Sequence, residues 1–304
     1  LPLLLSVLAA CGDAPGAPAA DAFTVRDSAG VRIVENSDSV WTADTRWRVA
    51  QEPDLRIGSL DGSVPGTDWG DFVQARAFGD GVVVTDPQTV GFRFFDAEGA
   101  WERTLVREGE GPTELQFLNV WQIFGDRITA TDVAAGVEIH PYGDSIRPLT
   151  IAQPPGAEED ELFGVAIPMA WFEDGSYLQA MMPNLMELES GLQSPPMTYH
   201  RMSREGEHLG EVASVPLGSF HVKGPRDFSP VPFVPPGMLV TAGTAMYEAF
   251  PDSSFEWRRR RADGSLEMVV RLPLEGDEIT EAFITRTIER QVEMLEGLDF
   301  PAGM

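Results

Sequence analysis

From Phe23 to about residue 274 the chain alternates apolar and polar residues in short runs, broken by Gly, Pro, Asp and Ser. Period-two alternation puts one face of a strand in a core and the other in solvent, so the fold class is read as all-β. One eight-residue pattern recurs, aromatic first and glycine last: FTVRDSAG (Phe23–Gly30), FRFFDAEG (Phe92–Gly99), YHRMSREG (Tyr199–Gly206) and WRRRRADG (Trp257–Gly264). A second short β-rich run follows each one. The pattern predicts β-hairpins, with the glycine supplying a backbone conformation that other residues resist. Upstream lies a second element, GDGVVVTD from Gly79 and GDRITATD from Gly125, 46 residues later, continued by EDGSYLQA from Glu173, 48 residues beyond that.

A repeat of about 40–50 residues with four strands is the blade of a β-propeller. Four blades are expected, over residues 70–107, 115–152, 163–216 and 228–274, the second departing from the hairpin pattern in VEIHPYGDSIRPL. One segment breaks the alternation. Asp277–Leu295 carries Ile284, Ile288, Val292 and Leu295 at helical spacing, with Asp277 as N-cap, Glu278 and Glu281 in the first turn, and Gly297 and Pro301 to stop it. It predicts one C-terminal amphipathic helix packed on the propeller.

The amino-terminal run LPLLLSVLAA is too short to span a bilayer and reads as the remnant of a signal peptide, residues 1–10. Leu8-Ala9-Ala10-Cys11 resembles the lipobox of bacterial lipoproteins, which implies cleavage before Cys11 and its lipidation. Gly12 in place of Asp implies sorting to the outer membrane. Residues 11–22 then form a Pro/Ala/Gly tether, and residues 23–304 the propeller domain. The chain opens on Leu1 with no basic region before the apolar run, so more sequence is expected upstream.

Charge narrows the partners. Lys and Arg total 22 against 48 Asp and Glu, a formal net charge of −26. Such a surface repels nucleic-acid backbones and anionic bilayers, so the membrane is reached through the lipid alone. Cys11 is the only cysteine, which excludes an intramolecular disulfide and a cysteine zinc site. A monomer is expected.

DSAGVRIVENS (Asp27–Ser37) and REGEGPTEL (Arg107–Leu115), followed by FGDRITATD, resemble a family of bacterial six-bladed β-propeller lipoproteins, related to NHL-repeat and TolB-like propellers. Gly109, Gly111 and Pro112 match the glycine-rich part of the NHL pattern, and Asp132 its closing acid. Thr113 and Leu115 depart from the usual Gly and Phe. The resemblance implies an incomplete six-bladed type: about four blades plus an N-terminal closing hairpin, with C-terminal blades missing. It further implies an open arc in which that hairpin lacks its usual sheet partners.

The candidate chemistry is sparse. Asp86 and Asp132 occupy equivalent strand ends and could belong to a ring of carboxylates that binds Ca²⁺ or a polar ligand. The third place falls on Ala180, which favours the simpler reading of an Asp accepting turn N–H bonds. His200 and His208 flank one hairpin and could meet across it, although hairpin packing explains them as well. His140 and His221 show no ligand spacing. The REGEGP loop lacks the Lys-Ser/Thr of a phosphate loop and is itself acidic. Asp61, Asp68 and Asp71 lie in a glycine-rich loop without EF-hand spacing. Arg258–Arg261 alternate between faces and are expected to offset neighbouring acids. Met181, Met182, Leu185 and Met186 offer an adaptable apolar contact or cover the blade.

No catalytic motif is spelled out, so the first reading is a non-catalytic cell-envelope lipoprotein, needing no cofactor. It would act as a binding or scaffold module for an envelope protein, peptide or glycan. The alternative is a lactonase-like propeller hydrolase or lyase, with a channel metal held by Glu, Asn and Asp. Only Asn36, Asn119 and Asn184 are available to it.

Overall fold

The computed structural model describes residues 23–37, 49–58, 63–69, 73–86, 90–157, 166–224, 227–232, 234, 236–250, 255–272 and 278–296. Strands β1 (Phe23–Ser28) and β2 (Val31–Asn36) form the amino-terminal hairpin. The first blade is β3 (Gln74–Phe78), β4 (Gly81–Thr85), β5 (Phe92–Phe95) and β6 (Trp101–Leu105). The second is β7 (Val120–Phe124), β8 (Arg127–Thr131), β9 (Ala135–His140) and β10 (Ser145–Thr150). The third begins with β11 (Ala166–Trp171) and β12 (Tyr177–Met181), is interrupted by β13 (Gly191–Gln193), and ends with β14 (Pro196–Met202) and β15 (His208–Pro216). Then come β16 (Phe220–Gly224) and β17 (Asp227–Pro230), the fourth blade β18 (Met238–Ala242), β19 (Ala245–Ala249), β20 (Glu256–Arg261) and β21 (Leu266–Arg271), and the helix α1 (Glu281–Glu296).

Each blade is an antiparallel meander in chain order, so the molecule is an incomplete β-propeller of four blades. The expected blade limits hold except at the start of the fourth. Residues 228–230 belong to β17, in a separate three-stranded sheet β13-β16-β17, and the fourth blade begins at Met238. The recurring eight-residue pattern is the turn between the third and fourth strands of blades one, three and four. Gly99, Gly206 and Gly264 there have φ of 82°, 89° and 85°, the left-handed region where a Cβ is costly. Asp96 and Ser203 brace these turns, their side-chain oxygens each accepting two backbone N–H bonds. The second blade lacks the pattern because its turn is built differently, as a 3-10 turn over Pro141–Gly143 that ends at Asp144 with φ 47°.

The core lies between blades. Phe92, Val83 and Phe94 meet Trp121, Ile128 and Ile139 between the first and second. Trp171, Tyr177 and Met202 meet Val120, Phe124 and Leu149 between the second and third. Tyr199, Val215 and Leu178 meet Leu239 and Met246 between the third and fourth. Phe92 is wholly buried, and burial of such a ring contributes about 1.5–3 kcal/mol. The Tyr199 hydroxyl is pushed up to about 12 by burial and then by the nearby Glu248 carboxylate, so it stays neutral.

Two expectations need correction. The amino-terminal hairpin does find a sheet partner: β2 pairs parallel with β21, making the fourth blade six-stranded in the order β1-β2-β21-β20-β19-β18. Val34 lies against Val270, Asn36 Nδ2 donates to Arg271 O at 2.8 Å, and Arg271 reaches Glu35 at 3.4 Å. These matched side chains cover an edge that would otherwise be open. The helix, in turn, does not bury its apolar stripe. Phe283, Ile284, Ile288 and Val292 are all exposed. Its described N-cap is Thr280, whose Oγ1 accepts from Phe283 N at 3.2 Å; Asp277 lies outside the described residues.

The interior blades are covered on both faces, but the end blades are not. Gln74 to Ala77 of β3 are exposed. Across the fourth blade the ladder aligns Met238, Ala249, Trp257, Val270, Val34 and Val25 in one apolar row. Met238, Trp257 and Val25 are more than half exposed, at 57%, 53% and 52%.

Polar ties supplement the apolar contacts. Glu138 of β9 is buried and bonded by Arg127 at 3.0 Å, His140 at 2.8 Å and Arg204 of the third blade at 2.8 Å. Burial, the largest influence, raises its pKa, but the three hydrogen bonds together hold the carboxyl below its ordinary value. A depressed folded-state value adds stability above the unfolded pKa, which is lost as pH falls through the folded one. Glu138→Gln is therefore expected to cost about 2–4 kcal/mol at neutral pH, below the full penalty for a buried pair because Arg204 keeps access to water. Urea titrations of both proteins should show this difference shrinking below about pH 4.

Candidate functional site

The first strands of the four blades, β3, β7, β11 and β18, stand around one central cleft of about 380 Å³. Most polar groups there are spent on holding the blades together. Trp171 N of β11 donates to Gln122 Oε1 of β7, Gln122 Nε2 donates to Thr241 Oγ1 of β18 at 2.9 Å, and Thr241 Oγ1 donates back to Trp171 O at 2.7 Å. Three blades thus share a closed cycle of hydrogen bonds, each group both giving and receiving. The Asn119 amide donates to Pro168 O at 2.9 Å, and the indole of Trp121 donates to Gln74 Oε1 at 2.8 Å, tying the first blade to the second.

Arg76 is different. It projects from β3 into the cleft with its guanidinium carbon 4.2 Å from the centre of the Trp121 ring. Among the described residues no carboxylate stands within ion-pair distance of it. Although Arg76 is exposed as a residue, partial desolvation of its guanidinium in the cleft lowers its pKa from the usual arginine value, and it remains charged at neutral pH. The arrangement is a cation stacked on an aromatic face, with its hydrogen-bonding edge uncommitted to any acid among the described residues. Sequence reasoning did not single out Arg76, Trp121 or Gln122. The polar Gln122 inside VWQIF was the available signal, because a glutamine within an apolar strand needs partners.

The residues singled out from sequence fall elsewhere. Asp132 follows β8, is buried, and accepts backbone N–H bonds from Ala134 at 2.8 Å, Ala135 at 2.6 Å and Gln116 at 3.1 Å. Asp86 follows β4 at the matching position and is likewise buried. The third equivalent is Met182 rather than Ala180, because the turn before β12 spans residues 172–176 where the earlier blades use two. The fourth is Phe250. Neither carries a carboxylate. Cys11, Asp61 and Asp71 lie outside the described residues; Asp68 pairs with Arg93 at 3.4 Å. Asn36 bonds Arg271 O and Asn184 caps a 3-10 turn, leaving Asn119 alone at the cleft. Among the described residues no three His, Cys, Asp or Glu side chains converge as metal ligands.

The REGEGP loop closes on its own acid. Glu114 accepts from Gly111 N at 2.9 Å and Arg107 Nε at 2.6 Å, and these bonds, the backbone one first, hold its carboxyl below the usual range. Each arginine of the run pairs with a glutamate: Arg258 with Glu256, Arg259 and Arg261 with Glu267, Arg260 with buried Glu248. Met182 and Leu185 are packed rather than displayed. No helix among the described residues is long and apolar enough to cross a membrane.

No family model matches the chain, and no curated protein matches it in sequence. Among solved structures, the chain is similar to a protein of Bacteroides fragilis described as exported, at 16% identity and a TM-score of 0.44 over 78% of this chain; it spans 59% of that protein's length. It is similar to a gluconolactonase of Xanthomonas campestris at 13% identity and TM-score 0.29, over 64% of this chain and 72% of that one. BamB of Moraxella catarrhalis follows at 12% and 0.23, over 63% and 70%. Likeness at this level carries no argument about ligand or reaction.

Gln122→Leu is expected to leave the Trp171 N–H without its acceptor and to lower stability by about 1–3 kcal/mol, read from the midpoint of urea unfolding.

Proposed function

We propose that the chain is a non-catalytic β-propeller of the bacterial cell envelope, whose central cleft binds a carboxylate-bearing segment of a protein, peptide or glycan. The observation that carries this reading is Arg76, stacked on Trp121 and unpaired with any described acid. A guanidinium held flat on a ring presents two parallel N–H donors to a carboxylate, a geometry that lysine cannot supply. In a chain of net charge −26, a cleft carrying an uncommitted cation is where an anionic group would be attracted rather than repelled.

In this reading Cys11 carries the lipid, residues 11–22 tether the propeller to the outer membrane, and the protein works as a monomer. Further blades of the same kind complete a six-bladed ring of the NHL or TolB type. The support for completion is the exposed β3 strand and the apolar row on the fourth blade, since both resemble faces that the interior blades bury.

Oligogalacturonate and a short peptide with a free carboxyl terminus serve as probes in calorimetric titration. Arg76→Gln is expected to weaken binding about tenfold or more, the scale of a lost charged hydrogen bond. A metal bound stoichiometrically in the cleft together with turnover of a lactone would overturn this reading in favour of the hydrolase. In cells, Cys11→Ser should shift the protein from the membrane fraction to the soluble envelope fraction; retention in the membrane would reject the anchor.

A further inference from the structure

Two imidazoles meet on the third blade, away from the cleft. His200 lies in the middle of β14 and His208 opens β15. In sequence they sit on opposite arms of one hairpin. The register explains why they meet. Tyr199 pairs with Ala213 but His200 with Glu211, so Val212 is skipped, and Arg201 pairs with Gly210 but Met202 with His208, so Leu209 is skipped as well. Gly210, with φ 129°, accommodates the irregularity. A one-residue bulge reverses the face of everything beyond it, and the two together leave His208 on the face of His200 and Met202.

The resulting geometry is specific. Nδ1 of His200 is 3.1 Å from Nε2 of His208, with ring centres 5.2 Å apart. Two nitrogens bound to one zinc at about 2.0–2.1 Å, at an angle between a right angle and the tetrahedral value, stand about 2.9–3.4 Å apart. His200 is nearly buried and therefore fixed, while His208 is exposed and leaves an approach from solvent. Glu211, across the ladder from His200, adds a negative charge beside it. Directly across from His200 on β12, Gln179 is buried and its Oε1 has no donor among the described residues.

We propose that His200 and His208 form a two-imidazole site for a divalent transition ion of the zinc or copper class, with water filling the remaining positions. Imidazole pairs select such ions over Mg²⁺ and Ca²⁺, which take oxygen ligands. Without metal the contact requires one ring to donate and the other to accept. The site is independent of the cleft and of what the cleft binds.

The test is calorimetric titration of the chelator-treated full chain with Zn²⁺ alone at about pH 7.5, with Mg²⁺ as a parallel titrant. The expected result is saturable binding of one Zn²⁺, weakened about tenfold or more in His208→Gln and in His200→Gln and unchanged in His221→Gln. His208 is exposed, so its variant tests the site without disturbing the core; far-UV circular dichroism checks that it stays folded. Equal Zn²⁺ affinity in wild type and His208→Gln, or no saturable binding in the wild type, would overturn the proposal.

Discussion

A four-stranded sheet with apolar side chains on both faces has to be covered twice, and everything in this molecule follows from how that requirement is met. Blades one to four stack face to face, and most of the large buried side chains lie in one of three seams between them. The seams would slide if they were only apolar. The hydrogen-bond cycle through Gln122, Thr241 and Trp171, together with the Glu138 cluster, supplies directional contacts that fix one blade against the next. The same constraint leaves its mark at the ends of the stack, where β3 and the row from Met238 to Val25 have no cover.

The architecture was legible in the sequence because it is repetitive. An aromatic followed by a glycine seven residues later is read directly as a third strand and its turn, and the structure places three of the four such patterns in that role. The fourth, Phe23–Gly30, is a hairpin of another type. Its turn has only two residues, Ala29 and Gly30, both at positive φ, and it attaches to the edge of a distant blade. Local pattern could reveal that hairpin but not its partner, since parallel pairing across the length of the chain leaves no short-range trace. The exposed helix stripe was misread for a related reason: spacing shows that a helix has an apolar side, and only tertiary structure shows what that side faces.

The candidate sites were less legible. Asp86 and Asp132 stood out because they recur, yet recurrence also follows when a turn needs the same acceptor in each blade, which is how Asp132 is used. Arg76 carries no local signal at all; its meaning comes from Trp121 on another blade and from the lack of a paired acid among the described residues. The histidine pair lies between these extremes. Eight residues of separation across a hairpin suggested a meeting, but whether the rings share a face depended on two skipped residues, Val212 and Leu209, that no alternation pattern predicts.

The union of β2 with β21 joins residues 235 positions apart. During synthesis the amino-terminal ribbon leaves the ribosome long before its docking edge exists, a delay of about ten to fifty seconds at ordinary elongation speeds. Through that interval the ribbon is a bare two-stranded hairpin, which is marginal on its own. Its attachment is therefore a late event in the assembly of the fourth blade, whose edge is sealed by strands made 235 positions earlier.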